Sequence, residues 1–263
     1  MTSIKPLIRT IHHLSCSGGS VISKCIASMP NTIVISEVHP DQLRNDFNPY
    51  DPIQLLLAQT NLGENSELRR QIFLKRIIDS EQILRNNNIN TVLRDHTHSD
   101  YLIETNTDEI VIKTSLIDVI CEHFELRSVV SLRNPLHSYA SLVHNNWNTS
   151  IRSFDDYCNR VLLMLQAYQA KDALIIKYED FCKQPDLTLR KTCEKLKITF
   201  SDEYSDKFHK IHMTGDSGRA SGINKITELA PRAIDESLFK EAIDSESFNE
   251  ISKLYSYDVP LII

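Results

Sequence analysis

The chain has 263 residues, 41% of them hydrophobic, and a formal net charge of 29 − 35 = −6. That length buries a full core within one domain, and the acidic balance excludes a global basic field for DNA or an anionic membrane, so any anion site must be local. The six cysteines, Cys16, Cys25, Cys121, Cys158, Cys182 and Cys193, form no CxxC pair and no compact framework, so reduced thiols are expected rather than a disulfide scaffold or zinc knuckle.

Met1 to Leu7 lacks a signal-peptide core, and no apolar run reaches the ~18 residues needed to cross a bilayer, so a soluble, cytoplasmic protein is expected. No repeat, low-complexity tract or linker divides the chain, which reads as one domain over 1–263. Its first apolar run, Ile8 to Leu14, has the β-branched content of a buried strand. The turn Ser15-Cys16-Ser17-Gly18-Gly19-Ser20 follows and leads into helical patterning after Gly19. A second strand is expected at Thr32 to Val38. His39 to Asn65 mixes Pro40, Pro49, Pro52 and Gly63 and reads as a loop excursion of the kind that shapes pockets. A long helix is expected from Ser66 to Arg85, with Leu68, Ile72, Phe73, Ile77, Ile78, Ile83 and Leu84 as its apolar face, ending at Asn86-Asn87-Asn88.

Further strands are expected at Thr91 to Arg94, Ser128 to Leu132 and Ala173 to Tyr178, with helices after Pro135, Ser153 and Pro185. Beyond Lys207, Gly215, Gly218 and Gly222 mark a functional loop before helical patterning resumes near Asp235. Strands alternating with helices define an α/β fold in which a mostly parallel sheet of about five strands is flanked by helices.

Two segments carry the chemistry. The turn at Ser17, Gly18, Gly19 and Ser20 offers backbone N–H groups at a helix start, where the dipole favours phosphate or sulfate. It lacks the lysine of a Walker loop; Lys24 lies one turn deeper, which argues against an ordinary ATPase or GTPase and leaves a P-loop-type small-molecule kinase, which would need magnesium, as a second enzyme reading. The second segment is Arg133-Asn134-Pro135 with Ser141 eight residues after the arginine. An arginine at the carboxyl edge of a parallel sheet faces the ligand crevice, and its guanidinium fork matches a phosphate monoester.

These residues resemble the sulfotransferases that use 3′-phosphoadenosine 5′-phosphosulfate (PAPS). Cys16-Ser17-Gly18-Gly19-Ser20 looks like their 5′-phosphosulfate loop, and Arg133 to Ser141 like their 3′-phosphate motif. Ile175-Ile176-Lys177-Tyr178-Glu179-Asp180-Phe181 is similar to the strand and helix that follow, and Gly215-Asp216-Ser217-Gly218-Arg219 to a late loop that closes over the nucleotide.

The resemblance implies a three-layer, P-loop-like α/β fold and sulfuryl transfer from PAPS to the hydroxyl or amine of a small-molecule, carbohydrate or lipid acceptor. Ser17, Gly18, Gly19 and Ser20 would hold the phosphosulfate, Arg133 and Ser141 the 3′-phosphate, Tyr178 the adenine, and Arg219 would close over the site. Cys16 stands where the family usually carries a cation, which leaves Lys24, Arg94 and Arg219 to supply charge; a PAPS- or PAP-binding relative with weak catalysis is the alternative. Glu37 and His96 are equal candidates for the general base, ahead of His98 and His39. His12 and His13 read as structural, and His96 and His98 with Asp95 or Asp100 do not make a convincing metal set, so no metal is assigned.

Overall fold

The computed structural model describes residues 4–41, 66–102, 113–214 and 225–258. Five strands form one sheet, β1 (Leu7–His13), β2 (Thr32–Val38), β3 (Asn90–Asp95), β4 (Glu125–Leu132) and β5 (Leu174–Lys177), in the order β2-β3-β1-β4-β5. Every pairing is parallel. Central β1 has apolar positions on both faces because both are covered, as parallel sheets require. Ile11 joins Val129 and Ile176 under α1 (Gly19–Ala27), α7 (Tyr178–Lys183) and α8 (Pro185–Leu196). Ile8 and Leu93 face the other way, against α2 (Ser66–Asn86) and α4 (Ser115–Ile120). Val130 and Leu132 face the same side, against α5 (Pro135–His144) and α6 (Phe154–Gln169). Short α3 (His98–Tyr101) follows β3, α9 (Tyr204–Lys207) follows α8, and α10 (Glu236–Asp244) and α11 (Glu246–Tyr255) close the described chain.

The expected α/β architecture is thus present, and the differences are local. Tyr178 opens α7 instead of ending β5, because Lys177 is the last extended residue before that helix. The apolar stripe of α2 is only partly used: Ile77 is buried, but Ile83 is 64% exposed and Glu81 is buried in its place, ion-paired to Arg85 at 3.0 Å. Most of the 39–65 excursion and the whole of 215–224, Arg219 included, lie outside the described residues.

A polar network runs through the apolar layer beneath α6. His12 Nδ1 lies 2.8 Å from Asp95 Oδ2, which also accepts from the Tyr168 hydroxyl and Thr97 Oγ1, each at 3.1 Å. Thr10 Oγ1 is 2.8 Å from both His12 Nε2 and Ser128 Oγ. His12 and Asp95 are fully buried, so both rely on this network for polar contact. Asp95→Ala should therefore cost about 3–5 kcal/mol of stability, read by urea unfolding, since it removes at once one of the imidazole's two partners and the acceptor of the Tyr168 and Thr97 hydroxyls; a loss under about 1 kcal/mol, the scale of one ordinary hydrogen bond, would refute a coupled network.

Candidate functional site

The sheet's connections reverse direction between β1 and β4, and ligands of open α/β sheets bind beyond the carboxyl ends of strands at such a point. Two segments leave the sheet there. After β1 the chain turns tightly: the Ser17 hydroxyl donates to the Leu14 carbonyl at 2.7 Å, Cys16 has φ 66° and Gly18 φ 81°. Gly18 serves as N-cap of α1 in the left-handed region, where glycine carries no steric penalty. A Cβ there would also meet the Tyr178 ring at 2.1 Å, and a Cβ on Gly19 would meet the His13 ring at 2.1 Å. The glycine pair is therefore needed so that backbone can lie against two rings. Gly18→Ala should cost about 1–3 kcal/mol through overpacking and strain, measured as a fall in thermal unfolding temperature; an unchanged midpoint would exclude the close approach.

After β4, Arg133 is 95% buried as the complement of its 5% exposure. Its Nη1 donates to the Cys16 carbonyl at 3.1 Å and its Cζ sits 5.1 Å from the Tyr178 ring centroid. Nε and Nη2 are buried without a hydrogen-bond partner among the described residues. Orphaned guanidinium nitrogens are costly unless an anion completes them. Asn134 caps α5 by accepting from Leu136 N at 3.0 Å, and Pro135 occupies the first helical turn, so Arg133 is held at the strand's end. Ser141 sits on α5 with its hydroxyl donating to the His137 carbonyl at 2.9 Å; the hydroxyl must rotate to donate to a ligand. On the loop's other side, Asn145 Nδ2 lies 3.7 Å from Cys16 Sγ.

One cation at the start of α1 comes from β3. Arg94 Nη2 donates to Ser20 Oγ at 3.1 Å, and Nη1 donates to Ser36 Oγ and to the Thr214 carbonyl, each at 2.7 Å. Nε and Nη2 also reach His13 Nε2, at 3.2 and 3.0 Å. Burial first, and then the guanidinium itself, hold the His13 ring well below the usual imidazole range, so it stays neutral and accepts. Lys24, also a candidate, is partly buried on the second turn of α1.

Arg94 also binds Glu37 Oε1 at 2.6 Å. The β2–β3 register shifts between Ile35 and Val38, and Glu37 itself has φ 55°. An extra residue in a strand re-aims a side chain, here towards β3. Burial pushes the Glu37 carboxyl above its usual range, opposed by Arg94 and assisted by Asp95. Glu37 Oε2 is 3.6 Å from His96 Nε2, and His96 Nδ1 is 2.6 Å from Ser99 Oγ. The two base candidates therefore occupy one place. His98 Nδ1 instead meets Ser15 Oγ at 2.9 Å, while His39 Nε2 donates to Asp100 Oδ1 at 3.1 Å. Asp95 pairs with His12 and Asp100 with His39.

No family model and no curated protein matches the sequence. Among solved structures, the chain is similar to the sulfotransferase domain from the curacin biosynthetic pathway, with a TM-score of 0.59 and 16% identity over 98% of this chain and 100% of that one. It is also similar to the sulfotransferase domain of the Synechococcus PCC 7002 olefin synthase, with a TM-score of 0.56 and 14% identity over 99% and 98% of the two chains. The fold is therefore that of the sulfotransferases.

Proposed function

We propose that the protein is a PAPS-dependent sulfotransferase that transfers a sulfuryl group to an acceptor hydroxyl or amine. The observation that carries this reading is the buried Arg133 guanidinium, bonded to the first loop through Cys16 and left with two nitrogens that have no partner among the described residues. It supports an anion held jointly by the carboxyl ends of β1 and β4. The 3′-phosphate would sit on Arg133 with Ser141, the adenine against Tyr178, and the 5′-phosphosulfate on Ser17, Gly18, Gly19 and Ser20, with Lys24 behind them and Arg219 closing over.

Arg94 would supply the positive charge that Cys16 cannot, since it already contacts Ser20 at the helix start. Charge developing on the transferring group is stabilised most by fixed cations and dipoles in a buried site. The acceptor oxygen or nitrogen bonds to sulfur as the bond from sulfur to the donor phosphate breaks, and the acceptor proton passes to the Glu37–His96 pair. Arg94 holds Glu37 as a counter-ion, which favours His96 as the group that takes the proton, with Glu37 stabilising the imidazolium that forms. The small-molecule, carbohydrate or lipid nature of the acceptor is left to the assay.

The test is calorimetric titration with 3′-phosphoadenosine 5′-phosphate (PAP), followed by transfer assays with radiolabelled PAPS and a panel of alcohols and amines. Magnesium-independent transfer is expected. Failure to bind PAP would overturn the proposal, and tight binding without product across the panel would instead support a catalytically weak relative with Cys16 as its cause.

A further inference from the structure

His137 in the first turn of α5, Glu179 in the first turn of α7 and Glu228 beyond the 215–224 segment bring one ring nitrogen and two carboxylate oxygens within 4.8 Å of one another. Three separate stretches of chain converge there. Glu179 is buried, and its carboxylate is held by donors at both ends: Asn134 N to Oε1 at 2.8 Å and the Tyr257 hydroxyl to Oε2 at 3.1 Å. Each oxygen retains a lone pair, and metal-binding carboxylates are characteristically oriented by such outer hydrogen bonds. His137 Nδ1 is buried without a hydrogen-bond partner among the described residues. Glu228 is exposed, and its neighbour Leu229 donates its N–H to the Tyr178 hydroxyl at 3.4 Å, which ties this stretch to α7.

We propose that His137, Glu179 and Glu228 form a binding site for a divalent transition-metal ion. An imidazole nitrogen with two carboxylates suits zinc, cobalt or manganese, whereas calcium and magnesium prefer all-oxygen shells. Ligand bonds of about 2.0–2.2 Å place ligand atoms no more than about 4.4 Å apart, so the site closes with a small movement. The exposed Glu228 side chain provides it. Two carboxylate charges outweigh the single positive charge of Arg133, which lies near His137. Three protein ligands leave further positions for water.

The site is tested without nucleotide, so its outcome is independent of the sulfotransferase reading. Reduced, chelator-stripped protein is titrated with Co²⁺ and followed by visible absorption, with Zn²⁺ added afterwards as competitor. One equivalent should bind with weak d–d bands and no intense near-ultraviolet thiolate band, and Zn²⁺ should displace it. Glu228→Gln, at an exposed position that leaves the fold intact, should weaken Co²⁺ binding at least tenfold, and His137→Ala should abolish the d–d bands. Absence of saturable binding, a thiolate band accounting for the bound cobalt, or unchanged affinity in Glu228→Gln would each overturn the proposal.

Discussion

Arg133→Ala is expected to weaken PAP binding by at least about 2 kcal/mol, roughly 30-fold in Kd, because a buried charge-assisted contact to a phosphate is lost. The wild-type guanidinium has one bond to the Cys16 carbonyl and two nitrogens without a partner among the described residues, so its desolvation has already been incurred before any ligand arrives. A phosphate that fills those two positions recovers that cost. Alanine should accordingly leave thermal stability nearly unchanged, or raise it, while affinity falls. Arg133→Lys should retain part of the affinity, as it keeps the charge and loses the fork. Calorimetry on the three proteins settles the matter, and equal affinity in wild type and Arg133→Ala would remove the anion site from this edge of the sheet.

The second large effect is on stability. Arg94→Met should cost about 3–5 kcal/mol at neutral pH, because it strands the Glu37 carboxylate in a buried position. The sign with pH follows from the direction of the Glu37 shift. Its carboxyl is raised in the folded protein, so the native state keeps the proton to higher pH than the unfolded chain does. The associated stability is present at low pH and declines as pH rises from the unfolded value through the native one. Without Arg94 the native value rises further and the decline extends to higher pH, so the variant should be weakest relative to wild type in alkaline buffer. Adding Glu37→Gln should restore most of the loss and flatten the pH dependence, although the contacts of Arg94 with Ser20, Ser36 and Thr214 are not recovered. Urea unfolding at several pH values reads this out, and a double variant as unstable as Arg94→Met would mean that the ion pair is not what matters.

Much of the fold was legible because its signals are local. Five β-branched runs and the helices between them correspond to the five strands and their flanking layers, since a parallel sheet buried on both faces demands continuous apolar strands. The glycine pair and the Arg133-Asn134-Pro135 junction were likewise visible, because turn chemistry and helix starts are written in consecutive residues. What escaped was everything set by pairing across the chain. Arg94 is separated by 74 positions from Ser20 and by 57 (94 − 37) from Glu37, and no periodicity shows that one guanidinium serves both. The bulge at Glu37 has no glycine or proline to announce it. Similarly, the convergence of His137, Glu179 and Glu228 has no spacing signature, because the three residues lie on different elements.

Composition and order of residues therefore sufficed for an α/β chain with a glycine turn after its first strand and an arginine after its fourth. Folding brought those two segments to neighbouring strands, β1 and β4, where one buried guanidinium can answer to both. It also turned two rival base candidates, Glu37 and His96, into a single pair and gave Glu37 an arginine partner. The division has one physical cause. Secondary structure and turns follow from interactions between near neighbours, whereas charge pairing, burial and orphaned donors exist only when distant residues share one low-dielectric space.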